Sequence, residues 1–258
     1  MTDNMSDQDY SGVNEPDESP LIYHLGELRS RLIRSLLVIF LLFVISMAFS
    51  ADLIKILKWP LKRLGENFEL NFIEVTEPFL VSLRVSLLSA LIIAAPFWIY
   101  QVWRFAQPGL YLKERKYFSW FLLLSLFLFW LGVLFCFFIM LPLTLEFLIH
   151  FGKDFATAQL TLKSYISFFS TLVLGFGLAF QLPLVILILT LSGLITSESL
   201  VKARKYVIIG CFVFSALLTP PDWVSQVGLA VPLYLLYELG LFVVKFIEKK
   251  EDKAPMEV

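Results

Sequence analysis

The sequence predicts an all-α integral membrane protein, and its composition, its long uncharged runs and the distribution of its cations support that class. Hydrophobic residues make up 58% of the 258 residues and charged residues only 17%, and the mean hydropathy is +0.78. Soluble domains carry about a quarter charged residues, so a soluble protein is excluded. The net charge of −1 is uninformative until the loops are assigned to sides of a membrane.

Six apolar stretches are expected to form transmembrane helices. They cover approximately residues 32–50, 79–102, 117–145, 164–197, 206–218 and 224–244. A spanning helix needs about 20 apolar residues, so the fifth stretch, at 13 residues, predicts a short helix. Pro232 and Glu238 interrupt the sixth stretch and predict a broken one. We therefore expect the bilayer to thin beside these two helices.

The remaining segments complete the predicted domain organisation. Residues 1–20, with six acids and two prolines, predict a disordered tail before a membrane domain at 21–247 and a charged tail at 248–258. Residues 53–59 are amphipathic and end at Pro60, which indicates a short helix in the membrane interface. Alternating apolar residues at 68–72 form a weak strand pattern.

The cations predict the orientation. Of the 21 Lys and Arg residues, 14 fall on the side that holds both termini and seven on the other. Cytoplasmic loops carry the excess of positive charge. Both termini are therefore expected in the cytoplasm.

The segment HLGELRSRL at 24–32 precedes the first apolar run and carries the clearest candidate site. Its leucines recur at helical spacing, and Glu27 and Arg31 stand one turn apart on another side. One interpretation is that its arginines only set topology and that Glu27 pairs locally. In the other interpretation, Glu27 binds an incoming basic group. Glu114, which stands in a cationic loop on the same side, has the same role.

Four segments resemble the signature segments of the TatC family of the twin-arginine protein translocase. They are HLGELRSRL (24–32), YQVWRFAQPGLYLKERK (100–116), FGLAFQLP (176–183) and LLTPPDWVSQ (217–226). The resemblance extends over residues 21–247 and implies six helices in a concave, glove-like arrangement. It also implies single-span partners of the TatA and TatB type, self-association, and clients whose signal peptides carry two consecutive arginines.

The resemblance also implies site residues. Glu27 and Glu114 fall on the positions of the family's signal-recognition acids, and Arg29, Phe105 and Pro108 match positions around the same face. Other motif positions, where structural roles are as expected as functional ones, are Pro60, Pro96, Asp222, Gln226 and Glu238.

Two polar groups inside the spans allow more than one interpretation. Gln181 stands where many family members carry Glu, near mid-membrane. Its amide either bonds within the bundle, for instance to carbonyls freed by Pro183, or contacts the helix of a partner subunit. Glu238 lies about 10 Å deep by helical rise, and we expect it to be neutral or paired with a cation of a neighbouring helix.

Two other function classes have sequence patterns that differ from those of the translocase. A secondary transporter usually shows inverted repeats and ionisable groups at midplane, and an intramembrane enzyme needs a nucleophile with its base, paired carboxylates or metal ligands. The sequence contains none of these patterns. We expect a non-catalytic receptor of the bacterial inner membrane, without cofactor, metal or nucleic acid, in contact with lipids and driven by the proton-motive force.

Overall fold

The structure, a computed structural model, describes residues 20–63, 70–106, 118–153, 160–218 and 223–251. Helices account for most of these residues, and no β-strand longer than an isolated bridge between Asn71 and Thr161 occurs within them. The helices are α1 (Pro20–Ala48), α2 (Ser50–Leu57), α3 (Trp59–Arg63), α4 (Glu77–Ile93), α5 (Ala95–Ala106), α6 (Phe118–Phe135), a π-helical turn (Cys136–Met140), α7 (Leu141–Lys153), α8 (Leu162–Ala179), α9 (Leu182–Leu191), α10 (Ser197–Leu218) and α11 (Trp223–Glu251).

Prolines mark the interruptions between consecutive helices. The bend of 56° between α4 and α5 is followed by Pro96, and the π-helical turn is followed by Pro142. Pro183 follows the break between α8 and α9, and Pro60 follows the break between α2 and α3. Pro60, Pro96 and Pro183 are each the second residue of a helix that follows a break, where the missing N–H would have no intrahelical partner in any case. Pro142 lies within the continuous helical segment Ser119–Phe151. The bend between α4 and α5 therefore occurs where a proline disturbs the backbone hydrogen bonding least.

Within the described ranges, four helical segments are long and apolar enough to cross a membrane. They are Gly26–Ala48, Ser119–Phe151, Leu162–Leu191 and Gln226–Ile247, and the bent pair α4–α5 forms a fifth span if it is taken as one unit. These helices belong to a multi-pass membrane protein.

The fifth and sixth predicted spans differ from expectation. The apolar stretch at 206–218 is only the second half of α10, which has 22 residues and a length of about 33 Å. The first half carries Glu198 and three cations. The apolar stretch does not extend into the charged residues, whereas the helical hydrogen bonding runs through both halves of α10. The prediction of a short fifth helix was therefore wrong.

The prediction of a broken sixth helix was also wrong. The 29 residues of α11 run without interruption through Pro232 and Glu238. A transmembrane helix tolerates proline when neighbouring helices support the freed backbone, and α11 packs closely on α9. A Cβ on Gly240 of α11 would lie 3.0 Å from the Cα of Pro183 in α9, so a larger residue there would require the two helices to move slightly apart.

The core is centred on α8. Tyr165, Ile166, Leu172 and Phe176 of this helix are at most 2% exposed. Glycine allows α6 to come close, because a Cβ on Gly177 would lie 2.9 Å from the Phe129 ring. By contrast, only 11% of the apolar window of α1 is buried, against 61% for α8–α9. The first helix therefore lies at the periphery.

A buried carboxylate joins the start of α4 to the start of α8. Glu77, 2% exposed, accepts hydrogen bonds from the backbone N–H of Ile73 at 3.0 Å and of Lys163 at 2.6 Å. Beside it, the Leu162 N–H donates to the Asn71 carbonyl at 2.9 Å. The strand pattern predicted at 68–72 is thus reduced to one bridge at Asn71, and residue 68 lies outside the described ranges.

Candidate functional site

An ion pair on α1 reaches across to α5. Arg31 donates through Nε to the Glu27 carboxylate at 3.1 Å and through Nη2 to the same oxygen. Its Nη1 donates to Gln101 of α5 at 3.3 Å. The predicted local pair is present, and the guanidinium also ties the outermost helix to the bundle.

Partial burial makes this pair stronger than an ordinary surface pair. The side chains of Arg31 and Glu27 are 13% and 27% exposed, and Gln101 is 8% exposed. Fully exposed pairs contribute about 0–1 kcal/mol, and lower local polarity strengthens the attraction. Glu27 is the more accessible partner, so a group arriving from solvent meets the carboxylate first.

An apolar groove of about 580 Å³ begins at this ion pair. Arg31, Ser35 and Gln101 form its polar end, where the Ser35 hydroxyl donates to the Arg31 carbonyl at 3.0 Å. The remaining lining residues are apolar side chains from α1, α4, α5, α6 and α8: Leu28, Leu32, Leu36, Ile39, Leu91, Trp98, Val102, Phe105, Phe129, Leu174 and Leu178. A carboxylate thus stands next to an apolar trough that lies among membrane-spanning helices.

Trp98 connects this groove to a second cavity of about 470 Å³. Trp98, Val102 and Leu178 line both spaces. The indole N–H donates to the Leu91 carbonyl at 3.0 Å, and the ring packs edge-on against Phe129 with centroids 5.4 Å apart. The bend between α4 and α5 therefore holds the tryptophan as a shared wall.

Gln181 lies in the second cavity and is hydrogen-bonded within the bundle. Its Oε1 accepts from the Ser125 hydroxyl at 2.5 Å, and its Nε2 donates to the Ser125 carbonyl at 3.0 Å. The internal alternative is therefore realised through a serine of α6, rather than through carbonyls freed by Pro183. The contact with a partner helix stays a prediction.

Comparison with known proteins identifies the family. The family model described as Sec-independent protein translocase protein (TatC) matches residues 23–232. The chain belongs to the TatC family. The TatC proteins of Desulforapulum autotrophicum and Aquifex aeolicus are 40% and 42% identical to it, over 94% and 91% of this chain and 90% and 98% of theirs.

A solved structure agrees with this membership. The crystal structure described as that of the twin arginine translocase receptor TatC matches with a TM-score of 0.79 and 42% identity, over 86% of this chain and 98% of the other. The family predicted from the four sequence segments is confirmed. Membership of TatC makes the chain a component of a protein translocase, hence a transport protein rather than a classical enzyme.

The other predicted positions of this TatC chain are distributed over both ends of the bundle. Arg29 is exposed on α1, and Phe105 is half-buried at the groove. Pro60 is the second residue of α3, and Pro96 is the second residue of α5, directly after the bend. Glu114, Pro108 and Asp222 lie outside the described residues.

Two predicted positions join the last helices of the TatC fold. Glu238 accepts from Arg204 of α10 at 2.7 Å and from the Tyr234 hydroxyl at 2.6 Å, which is the expected pairing with a cation of a neighbouring helix. Gln226 donates to the Phe212 carbonyl of α10 at 3.1 Å. Both residues therefore have structural contacts between α10 and α11.

Sequence reasoning did not single out Gln101, Ser125 or Trp98. Gln101 and Trp98 lie in or beside the second signature segment, which was the available signal. Ser125 is one serine within a 29-residue uncharged run, and nothing local distinguishes it. Its importance comes from facing Gln181, 56 residues away.

Proposed function

We propose that this TatC-family protein is the receptor and scaffold of twin-arginine translocation, and that it binds the signal peptides of folded proteins at the cytoplasmic face. The observation that carries the proposal is the ion pair of Glu27 with Arg31, the residue that lines the polar end of an apolar groove. A twin-arginine signal peptide offers guanidinium groups, and signal peptides continue into an apolar segment. The carboxylate and the groove match these two parts in order.

The proposed binding step is an exchange of guanidinium groups on Glu27. A signal-peptide arginine replaces Arg31 at the carboxylate, while Arg31 keeps its bond to Gln101. A carboxylate accepts the planar guanidinium fork with two parallel bonds, which lysine cannot reproduce. Because one arginine replaces another, the net change in charge pairing is small. Binding is therefore reversible, and the apolar contacts add affinity.

Two consecutive arginines need two acids, and Glu114 is proposed as the second. This assignment rests on its motif position and on the cationic loop around it, since Glu114 lies outside the described residues. Arg29, Phe105 and Pro108 are proposed to complete the peptide-binding face. No catalytic step, cofactor or metal is part of the proposal.

We further propose six spans in a concave arrangement, with both termini in the cytoplasm of a bacterial inner membrane. The spans are α1, α4–α5, α6–α7, α8–α9, α10 and α11, and the cation asymmetry supports their orientation. Cysteines introduced within residues 1–20 should react with impermeant reagents only after the cytoplasmic side is opened. Labelling of these cysteines in intact cells would contradict the topology.

Assembly with single-span TatA- and TatB-type subunits, self-association and use of the proton-motive force complete the proposed role. Gln181 is a candidate contact for a partner helix, because it lines a cavity whose other residues, apart from its partner Ser125, are apolar or aromatic. A polar contact inside a membrane contributes about 1–2 kcal/mol at best. Such a contact would favour reversible rather than permanent assembly.

Photocrosslinking tests the receptor role directly. A photoreactive residue at position 27 or 114 should crosslink to a twin-arginine peptide, and a peptide with two lysines in place of the arginines should give little product. The same probe at Lys55, on the other side of the proposed membrane, serves as control. Unchanged peptide affinity after combined Glu27→Lys and Glu114→Lys substitution would show that the site lies elsewhere.

A further inference from the structure

A third cavity, partly polar, lies at the opposite end of the helices from Glu27. It encloses about 680 Å³ between the first turns of α4 and α8 and the end of α10. Arg84 of α4 and Lys163 of α8 are its cations, and the hydroxyls of Ser167 and Thr171 lie one turn apart on its α8 wall. The proposed signal-peptide site uses none of these residues.

Arg84 has no ion-pair partner in the part of the chain that the structure describes. It stands seven residues after Glu77, about 10 Å along α4 by helical rise, and its side chain is exposed. Within the described ranges it forms no ion pair and no hydrogen bond. An arginine at that depth of a spanning helix is unfavourable unless its guanidinium meets an anion or reaches the interface.

The acids beside it are already engaged. Glu77 is buried and accepts the backbone N–H groups of Ile73 and Lys163. Glu74 pairs with the Lys163 ammonium at 3.6 Å. Of the four charged side chains that line the cavity, Arg84 is therefore the one that forms no hydrogen bond or ion pair within the described ranges.

The remaining wall of the cavity is apolar. Phe168, Leu217 and Leu218 line it, and Leu217 is 77% exposed. A cation and hydroxyls next to an apolar wall at the end of spanning helices match an amphiphile with an anionic head. A free phosphate ion would gain nothing from the leucines.

We propose that this cavity binds an anionic phospholipid of the leaflet on this side of the membrane. The lipid phosphate accepts hydrogen bonds from the Arg84 guanidinium and the Ser167 hydroxyl, while Lys163 stays paired with Glu74. One acyl chain packs on Phe168 and Leu217. The site is separate from the proposed receptor role, and either can fail without the other.

Native mass spectrometry of the detergent-purified full chain tests the site. Phosphatidylglycerol should bind more tightly than phosphatidylcholine of identical acyl chains, and Arg84→Gln should weaken phosphatidylglycerol about fivefold with phosphatidylcholine unchanged. Lys55→Gln is the matched control, since Lys55 is an exposed cation at the same end, paired with Asp52, and does not line the cavity. Equal phosphatidylglycerol affinity in Arg84→Gln and the original protein would overturn the proposal.

Two further arms keep the result interpretable. If Arg84→Gln does not fold, Ser167→Leu fills the cavity while Arg84 is retained, and it should weaken phosphatidylglycerol in the same way. Millimolar inorganic phosphate should not displace the lipid. Displacement by phosphate would assign the site to a free anion and overturn the lipid proposal.

Discussion

Glu27 and Glu77 are carboxylates at opposite ends of the same helical bundle, and they differ in the kind of donor that holds them. Glu77 accepts two backbone N–H groups, one from Ile73 and one from Lys163, and is 2% exposed. Glu27 accepts the side chain of Arg31 and is 27% exposed. Neither acid lies in a metal-type cluster within the described part of the chain.

The donors explain what each carboxylate can do. Backbone N–H groups cannot leave Glu77 without loss of the local fold, so this acid is a structural connection between α4 and α8. A guanidinium can rotate away from Glu27 and be replaced by another guanidinium. The same chemical group therefore fastens the fold at one end and offers an exchangeable contact at the other.

The largest expected effect is on stability, at Glu77. Glu77→Ala should lower the Tm of the detergent-solubilised protein by several degrees, because two backbone N–H groups lose the buried carboxylate that accepts them. Glu74→Gln, which removes an exposed acid three residues earlier, is the control and should leave the Tm nearly unchanged. Equal Tm values for the two variants would show that Glu77 is not a structural connection.

The next effect is on peptide binding, at Glu27. Glu27→Lys should leave the protein folded and weaken a twin-arginine peptide at least tenfold, the size expected for loss of a charge-assisted hydrogen bond. Peptide affinity is measured by titration with a fluorescent peptide, and the Tm of each variant is measured alongside. Glu198→Lys reverses an exposed acid on the same side and should bind normally. A large fall in Tm with Glu27→Lys would place Glu27 in the same class as Glu77.

A substitution at Gln101 tests the proposed exchange of arginines on Glu27. Gln101→Leu removes the second acceptor of Arg31, so Arg31 competes more strongly for Glu27. Peptide affinity should fall by about fivefold, equivalent to one ordinary hydrogen bond of about 1 kcal/mol. If the affinity rises instead, Gln101 restrains Arg31 rather than receiving it.

The smallest effect is expected at Gln181. Gln181→Leu should reduce crosslinking to a TatA-type helix by a few-fold and leave peptide binding intact. Gln181→Glu should be tolerated in its protonated form, because the Ser125 carbonyl needs a donor opposite it. The measurement is the crosslinking yield of the Leu variant compared with that of the original protein. Equal yields would reduce Gln181 to an internal contact with Ser125.

The sequence by itself determined the membrane class, the family and the pairing of Glu27 with Arg31. Each of these depends on composition, on continuous motifs or on contacts one helical turn apart. In an α-helix, residues four apart are neighbours whatever surrounds them. That local geometry made the pair predictable before any packing was known.

Tertiary structure decided the contacts between helices and the true ends of α10 and α11. Gln101 meets Arg31 across 70 residues, Ser125 meets Gln181 across 56, and Lys163 meets Glu77 across 86. No local pattern selects such partners, because they depend on how bends and glycines let the helices approach. Hydropathy reports which residues suit lipid, whereas helix ends follow backbone hydrogen bonding and packing. The structure therefore placed those ends where hydropathy did not.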